Sequence, residues 1–310
     1  MIVGIALRLA AMMLSSIEHP NQRQPERQFR PVLLLFAWLS RVAPGIKPHV
    51  QKAAIRAVYQ LISAGSKGDP NSFMNYGYVP LDHPDSLPLS SLDEDYRYGI
   101  QLYHRVAGAV DLRDKDVLEV GSGRGGGAAW IMRYFKPRSM TGVDFANRAI
   151  EFCQRHYQIG GLSFQRGDAE DLPFPPSTFD VVVNVESSHC YPSVDRFFQE
   201  VRQVLRPQGY FLIADLRPKK DITLLREQLR TSGLTLLEEE DITANVARSL
   251  ELDSPRRRAV MRHPIARVFP TAVNEFMGIK GSQLHTQLCN GEMQYMRFVL
   301  RKDAGATGEQ

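Results

Sequence analysis

The chain has 310 residues, 43% hydrophobic and 23% charged, and its 38 Lys+Arg against 34 Asp+Glu leave a net charge of +4. This is the composition of one large globular domain with added segments: it excludes a disordered or fibrous chain, and so slight a basic excess does not make nucleic acid an expected partner. Three scattered cysteines, Cys153, Cys190 and Cys289, form no close pair and fit a reducing, cytoplasmic setting better than a disulfide framework or a zinc site.

The opening MIVGIALRLAAMMLSS is apolar but interrupted by Arg8, with no basic lead and no Ala-x-Ala cleavage site, so it does not read as a signal peptide. The apolar run 32–39 is shorter than the roughly 20 residues that cross a bilayer. Residues 1–92 are expected to form a helical arm and cap, broken by the loop SAGSKGDPNS and by the proline-rich VPLDHPDSLPLSS. Its first 45 residues offer amphipathic surface for peripheral membrane contact.

The main domain is expected over 93–302. Ser91, ahead of Asp93 and Glu94, reads as the N-cap of a helix running to about Val110. Beyond it, short apolar runs alternate with amphipathic segments, the pattern of a parallel sheet with crossover helices. Strands are expected at DVLEVG, SMTGVD, LSFQRG, FDVVVNV, YFLIAD, LTLLEEEDIT and MQYMRFVLRK. Helices are expected from the glycines after DVLEVG to Tyr134, then over 148–157, 194–205 and 222–232. Pro207-Gln208-Gly209 reads as a turn before the fifth strand, and Gly233 as a helix C-cap. Residues 243–290 are expected to form a helical lid insertion with apolar Val246, Leu250, Met261, Val268, Phe269, Phe276, Met277 and Leu284. The basic run Arg256-Arg257-Arg258 reads as a solvated helix face, with an anion seat as its alternative. The tail 303–310 is expected to be disordered. The fold class is therefore α/β: a Rossmann-like, seven-stranded, mostly parallel sheet with an N-terminal helical arm and a lid insertion.

The central motif, Glu119-Val120-Gly121-Ser122-Gly123-Arg124-Gly125-Gly126-Gly127, lies between a strand and a helix, where small residues let the backbone approach a ligand. Gly121, Gly123 and Gly126 also satisfy dinucleotide spacing, so an NAD(P) or FAD oxidoreductase is an alternative. Glu119 opposes it, because a carboxylate there suits a cationic amino-acid group and repels a pyrophosphate. Asp144 closes the second strand about 20 residues on, where a carboxylate can accept from ribose hydroxyls. Val185 and Glu186, at the end of the fourth strand, are further candidate cofactor contacts.

With Gly167-Asp168-Ala169-Glu170-Asp171-Leu172-Pro173-Phe174 after the third strand and Phe179-Asp180 entering the fourth, the chain resembles the class I S-adenosylmethionine-dependent methyltransferases over residues 70–300. The resemblance implies S-adenosylmethionine as cofactor, with Asp168 and the Ala169 N–H reading the adenine edge and Phe145 packing on it. Glu186-Ser187-Ser188-His189-Cys190-Tyr191-Pro192 and Phe73-Met74-Asn75-Tyr76-Gly77-Tyr78 are similar to the branch containing mycobacterial phthiotriolone and fatty-acid O-methyltransferases. It implies front tyrosines, Tyr76 and Tyr78, closing over the cofactor's methionine end, with Tyr191 on the substrate side.

His189 and Asp215 follow the fourth and close the fifth strand, at the edge where open α/β sheets bind ligands. A neutral imidazole can take a hydroxyl proton, so His189 is the candidate base and Asp215 its orienting partner. The expected reaction is O-methylation of a hydrophobic lipid, polyketide or terpenoid hydroxyl; N- or C-methylation and a non-catalytic cofactor-binding scaffold are the alternatives. No metal is expected, since no His pair or acid cluster stands at ligand spacing.

Overall fold

The computed structural model describes residues 72–82, 87–260 and 277–304. The arm before residue 72, with its candidate membrane contact, the tail from 305, and Met261, Val268, Phe269 and Phe276 of the insertion lie outside the described residues. The described part of the cap, 72–82 and 87–92, contains no helix. After a 3-10 turn at Glu94–Tyr96 come α1 (Arg97–Ala107), β1 (Asp116–Val120), α2 (Gly126–Phe135), β2 (Ser139–Asp144), α3 (Asn147–His156), β3 (Leu162–Arg166) and β4 (Phe179–Val185). A second 3-10 turn, Ser188–Cys190, precedes α4 (Val194–Val204), β5 (Leu205–Pro218), α5 (Ile222–Thr231), β6 (Thr235–Asp241), α6 (Thr243–Val260), α7 (Gln283–Cys289) and β7 (Met293–Arg301).

The seven strands make one sheet in the order β3-β2-β1-β4-β5-β7-β6. Its first five strands are parallel, and β7 enters antiparallel between β5 and β6. Successive side chains of a strand point to opposite faces, so continuous apolar runs such as Val181–Val183 feed two cores at once. Val181, Val183 and Leu212 join one apolar layer with Tyr103, Trp130 and Tyr295, while Val182, Phe211 and Ile213 join the other with Phe197 and Phe198. The order reverses between β1 and β4, both followed by turns at their carboxyl ends; a crevice there is the ligand position of this architecture.

Local readings differ from the structure at three places. Ser91 does not cap a helix: Ser90 Oγ bonds Asp93 Oδ2 at 2.8 Å, and Asp93 is drawn inward by Tyr134 OH (2.8 Å) and Arg133 (3.2 Å). Contacts to α2 thus outweigh the local cap, and α1 starts only at Arg97. The Pro207–Gly209 turn is absorbed into the 14-residue β5, because Gln208 N bonds Lys302 O (2.9 Å) while the β4 register slips between Phe179 and Val181. Arg257 is not part of a solvated face but 5% exposed, a point taken up below.

The insertion packs α6 and α7 against the sheet through Val246, Leu250, Leu284 and Leu288. Among the described residues, no helix is long and apolar enough to cross a membrane.

Tyr103 of α1 lies so close to α2 that a Cβ on Gly127 would stand 2.0 Å from its ring. Gly127→Ala should therefore destabilise the fold by about 1–3 kcal/mol through overpacking, despite alanine's better helix propensity, as read by urea unfolding.

Candidate active site

At the end of β1 the chain leaves the sheet through Gly121 (φ 77°), Gly123 (51°) and Gly125 (77°), left-handed conformations that glycine adopts without strain. Gly121 also has no room for a side chain, since a Cβ would lie 2.4 Å from Ser187 Oγ. The loop is tied to the end of β2: Asp144 Oδ2 accepts from Gly123 N at 2.9 Å and its Oδ1 from Ala146 N at 2.8 Å. From β4, Asn184 Nδ2 donates to Val120 O (2.9 Å) and to Ser187 Oγ (2.7 Å), and Tyr191 OH donates to the same Ser187 Oγ (2.9 Å). Tyr191 thus buttresses the back of the loop. Ser122 Oγ is buried without a partner.

Glu119 is fully buried beneath this loop. Its Oε1 accepts from Tyr103 OH at 2.5 Å, and its Oε2 has no partner. Burial, reinforced by the Asp144 charge, pushes its carboxyl up to about 8. A desolvated carboxylate with one unpartnered oxygen can seat a cation, offering the acceptor that an amino-acid ammonium requires. Asp144, raised by burial, keeps lone pairs beyond those that accept the Gly123, Phe145 and Ala146 N–H groups, as ribose recognition would need. Asp168 closes an Asx-type turn on Glu170 N (3.1 Å) and bridges to Asp171, setting Ala169 at the turn; Phe145 is half-buried directly after Asp144.

The second half of the site stands on β4 and β5. Asp215, 1% exposed, receives His189 Nδ1 on Oδ1 (2.7 Å), and on Oδ2 the His189 N–H (2.8 Å) and Ser188 Oγ (2.6 Å). Leu216 N (2.8 Å) and Arg217 Nη1 (3.0 Å) complete the set, and Arg217 Nη2 also donates to Ser188 Oγ (2.8 Å). Burial alone would raise the Asp215 carboxyl, but His189 and Arg217 hold it well below the carboxylate range. Burial likewise pulls the His189 imidazole down, yet Cys190 and Asp215 together hold it well above its ordinary 6.5. With Nδ1 committed to Asp215, Nε2 is the nitrogen left to exchange a proton. Val185 ends β4 in the core, and Glu186 follows in a strained left-handed backbone (φ 50°) that turns its carboxylate toward Tyr76 N (2.6 Å) and Tyr295 OH (2.9 Å). Burial raises this carboxyl to about 7.

Residues 72–79 cross the site as an extended strap. Gly126 N bonds Ser72 O (3.2 Å), Tyr78 N bonds Tyr98 O (3.0 Å), and α6 grips the strap with Ser249 Oγ on Tyr76 O (2.7 Å) and Asn245 Nδ2 on Val79 O (2.9 Å). Arg257 adds Nη2 to Asn75 O (2.9 Å) and Nη1 to Met277 O (3.0 Å), its charge balanced by Asp253 at 2.8 Å. The structure brings the Tyr76 phenol into the field of Glu186, Arg257, Cys190 and Asp215, whereas the Tyr78 phenol lies among Arg105, Glu240 and Arg297, towards the β6–β7 edge. Sequence reasoning missed Tyr103, Asn184, Ser188, Arg217 and Arg257 in this network. Asn184, a lone amide inside an apolar strand, carried a readable signal; the others were indistinguishable from ordinary helix or loop polar residues.

A family model described as a methyltransferase domain matches residues 118–213. The chain is 42% identical over 252 residues to the phthiotriol/phenolphthiotriol dimycocerosates methyltransferase of Mycobacterium tuberculosis, covering 81% of this chain and 93% of that protein. It is 40% identical over 266 residues to the fatty-acid O-methyltransferase of Mycolicibacterium smegmatis, covering 85% and 95%. Among solved structures, the 4+2 cyclase SpnF matches with a TM-score of 0.62 at 20% identity, covering 82% of this chain and 97% of that one. The geranyl diphosphate C-methyltransferase of Streptomyces coelicolor matches with a TM-score of 0.57 at 18% identity, covering 79% and 98%. These two structural likenesses concern the fold alone.

Asp144→Ala would leave the Gly123 and Ala146 N–H groups without their acceptor, so urea unfolding should show a loss of about 1–3 kcal/mol even without ligand. Asp144→Asn, which keeps one acceptor oxygen, should lose less.

Proposed function

Because the chain belongs to the S-adenosylmethionine-dependent methyltransferases, alongside the phthiotriol dimycocerosates and fatty-acid enzymes, we propose that it methylates a hydroxyl oxygen on a hydrophobic, lipid-like acceptor, with His189 as general base. The observation that carries the reading is the 2.7 Å bond from His189 Nδ1 to the buried Asp215, which fixes the imidazole so that Nε2 is the proton acceptor. S-adenosylmethionine supplies the electrophilic methyl group on a sulfonium.

The chain's residues divide the remaining work. Glu119 would hold the cofactor's amino group, and the backbone of Gly121, Ser122 and Gly123 would line its methionine end. Asp144 would take the ribose hydroxyls; Phe145, Asp168 and the Ala169 N–H would hold the adenine; Val185 and Glu186 would close the crevice at the end of β4. Tyr76 sits nearest this chemistry, Tyr191 stiffens the loop behind it, and Tyr78 anchors the strap. An in-line displacement needs alignment above all, and a strap bonded to α1, α2 and α6 supplies it while keeping water out. The names of the two relatives and the apolar insertion both support a lipid-like acceptor. The arm of residues 1–92 would deliver that acceptor, through membrane contact of its first 45 residues.

Although burial pulls the His189 imidazole down, Cys190 and Asp215 raise it above its ordinary 6.5, so its base form gains population as pH rises. Turnover should therefore increase with pH through a midpoint above 6.5. In His189→Ala that limb should vanish and turnover should drop roughly 10²–10⁴-fold, with cofactor affinity nearly intact. An unchanged rate and pH profile in the variant would remove the base and point to an acceptor, such as a carboxylate, that needs none.

A further inference from the structure

Glu119 is a fully buried carboxylate with no cation beside it and one oxygen without a hydrogen-bond partner. Facing it are the Tyr103 hydroxyl from α1, the Ala128 N–H from α2, Asp144 from the end of β2 and Cys153 from α3. None of these is cationic, and Asp144 repels a second negative charge. Tyr103 bonds Glu119 of β1 through its hydroxyl while its ring forbids a side chain at Gly127 of α2, so one residue of α1 fixes the carboxylate and packs against α2.

We propose that Tyr103 is a positioning residue for the cofactor's amino group, holding Glu119 so that Oε2 alone is left for that group, and that seating the cation there expels a proton from the Glu119 carboxyl. The inference rests on the reading of Glu119 as the ammonium seat. An ionised carboxylate in this apolar layer is costly on its own; protonation removes the cost until a cation arrives to balance the charge. The ammonium brings its own proton, so the displaced proton passes from Glu119 to the solvent and the paired site is neutral overall. The raised carboxyl of Glu119 sets the upper edge of the window: the release fades as pH rises through about 8, and it is lost again at a pH low enough to protonate the carboxyl with the cation in place.

Calorimetric titration with S-adenosylhomocysteine, run from pH 6.5 to 9 in buffers of different ionisation enthalpy, counts the protons released. The wild-type chain should release about one proton near pH 6.5 and progressively fewer at higher pH. Glu119→Gln should bind about tenfold or more weakly and lose this pH-dependent release. Tyr103→Phe removes a bond that favours the carboxylate, so its affinity should drop several-fold and its release should persist to higher pH. Absence of release in the wild type, or equal release in Glu119→Gln, would overturn the coupling. A Tyr103→Phe profile superposing on the wild type would reduce Tyr103 to packing. If Glu119→Gln binds as tightly as the wild type, the ammonium seat itself is wrong, which is a different failure from weakened binding with an unaltered proton count. Thermal melting of each variant separates these outcomes from loss of fold.

Discussion

The carboxyl edge of this sheet answers to one constraint, the placing of four carboxylates at or just beyond the ends of β1, β2, β4 and β5, two of them buried (Glu119 and Asp215) and two half-buried (Asp144 and Glu186). Glu119, Asp144, Glu186 and Asp215 would each oppose folding if left ionised and unpaired. The chain satisfies them by different means. Asp144 is held by backbone N–H groups, Glu186 by a backbone N–H and a phenol, and Asp215 by backbone, serine, histidine and arginine donors together. Of the four, only Glu119 has a fully buried oxygen without a partner. The direction of each titration follows: Asp215 is lowered by the cations beside it, while the other three are raised by burial.

The same bonds assemble the architecture around the site. Asp144 fastens the glycine loop to β2, Glu186 fastens the strap to β4 and β7, and Asp215 fixes the turn that carries His189. The insertion joins in through Ser249, Asn245 and Arg257, so a helix far along the chain completes a wall begun by residues 72–79. The polar groups that tie the loop, strap and turns together are thus the same ones to which the proposed reading assigns ligand recognition. The fold by itself does not select a reaction; in the proposed reading the selection comes from the His189 imidazole held by the buried Asp215.

Much of this was legible in the sequence, for physical reasons. Strands such as β1 and β4 are short, apolar and buried on both faces, so their runs stand out without a partner being known, and the glycine-rich turn after β1 needs its small residues locally. Asp144, His189 and Asp215 were findable because strand ends are where such sheets place polar groups. Other features depend on distant partners. Tyr103 matters only because it meets a carboxylate 16 residues later, and Arg257 only because it reaches Asn75 across 182 residues. Neither distance leaves a period in the sequence, and an arginine-rich helix reads as solvated until its partners are known. The Ser91 cap failed similarly, displaced by the pull of α2 on Asp93.

The account stands most directly on where the cofactor's two ends lie, and a crystal structure of the S-adenosylhomocysteine complex would show both. The amino group should be within hydrogen-bond reach of Glu119 Oε2 and the ribose hydroxyls at Asp144, with the sulfur turned toward His189. A complex with the amino group remote from Glu119, or with the sulfur turned away from His189 and Asp215, would contradict it.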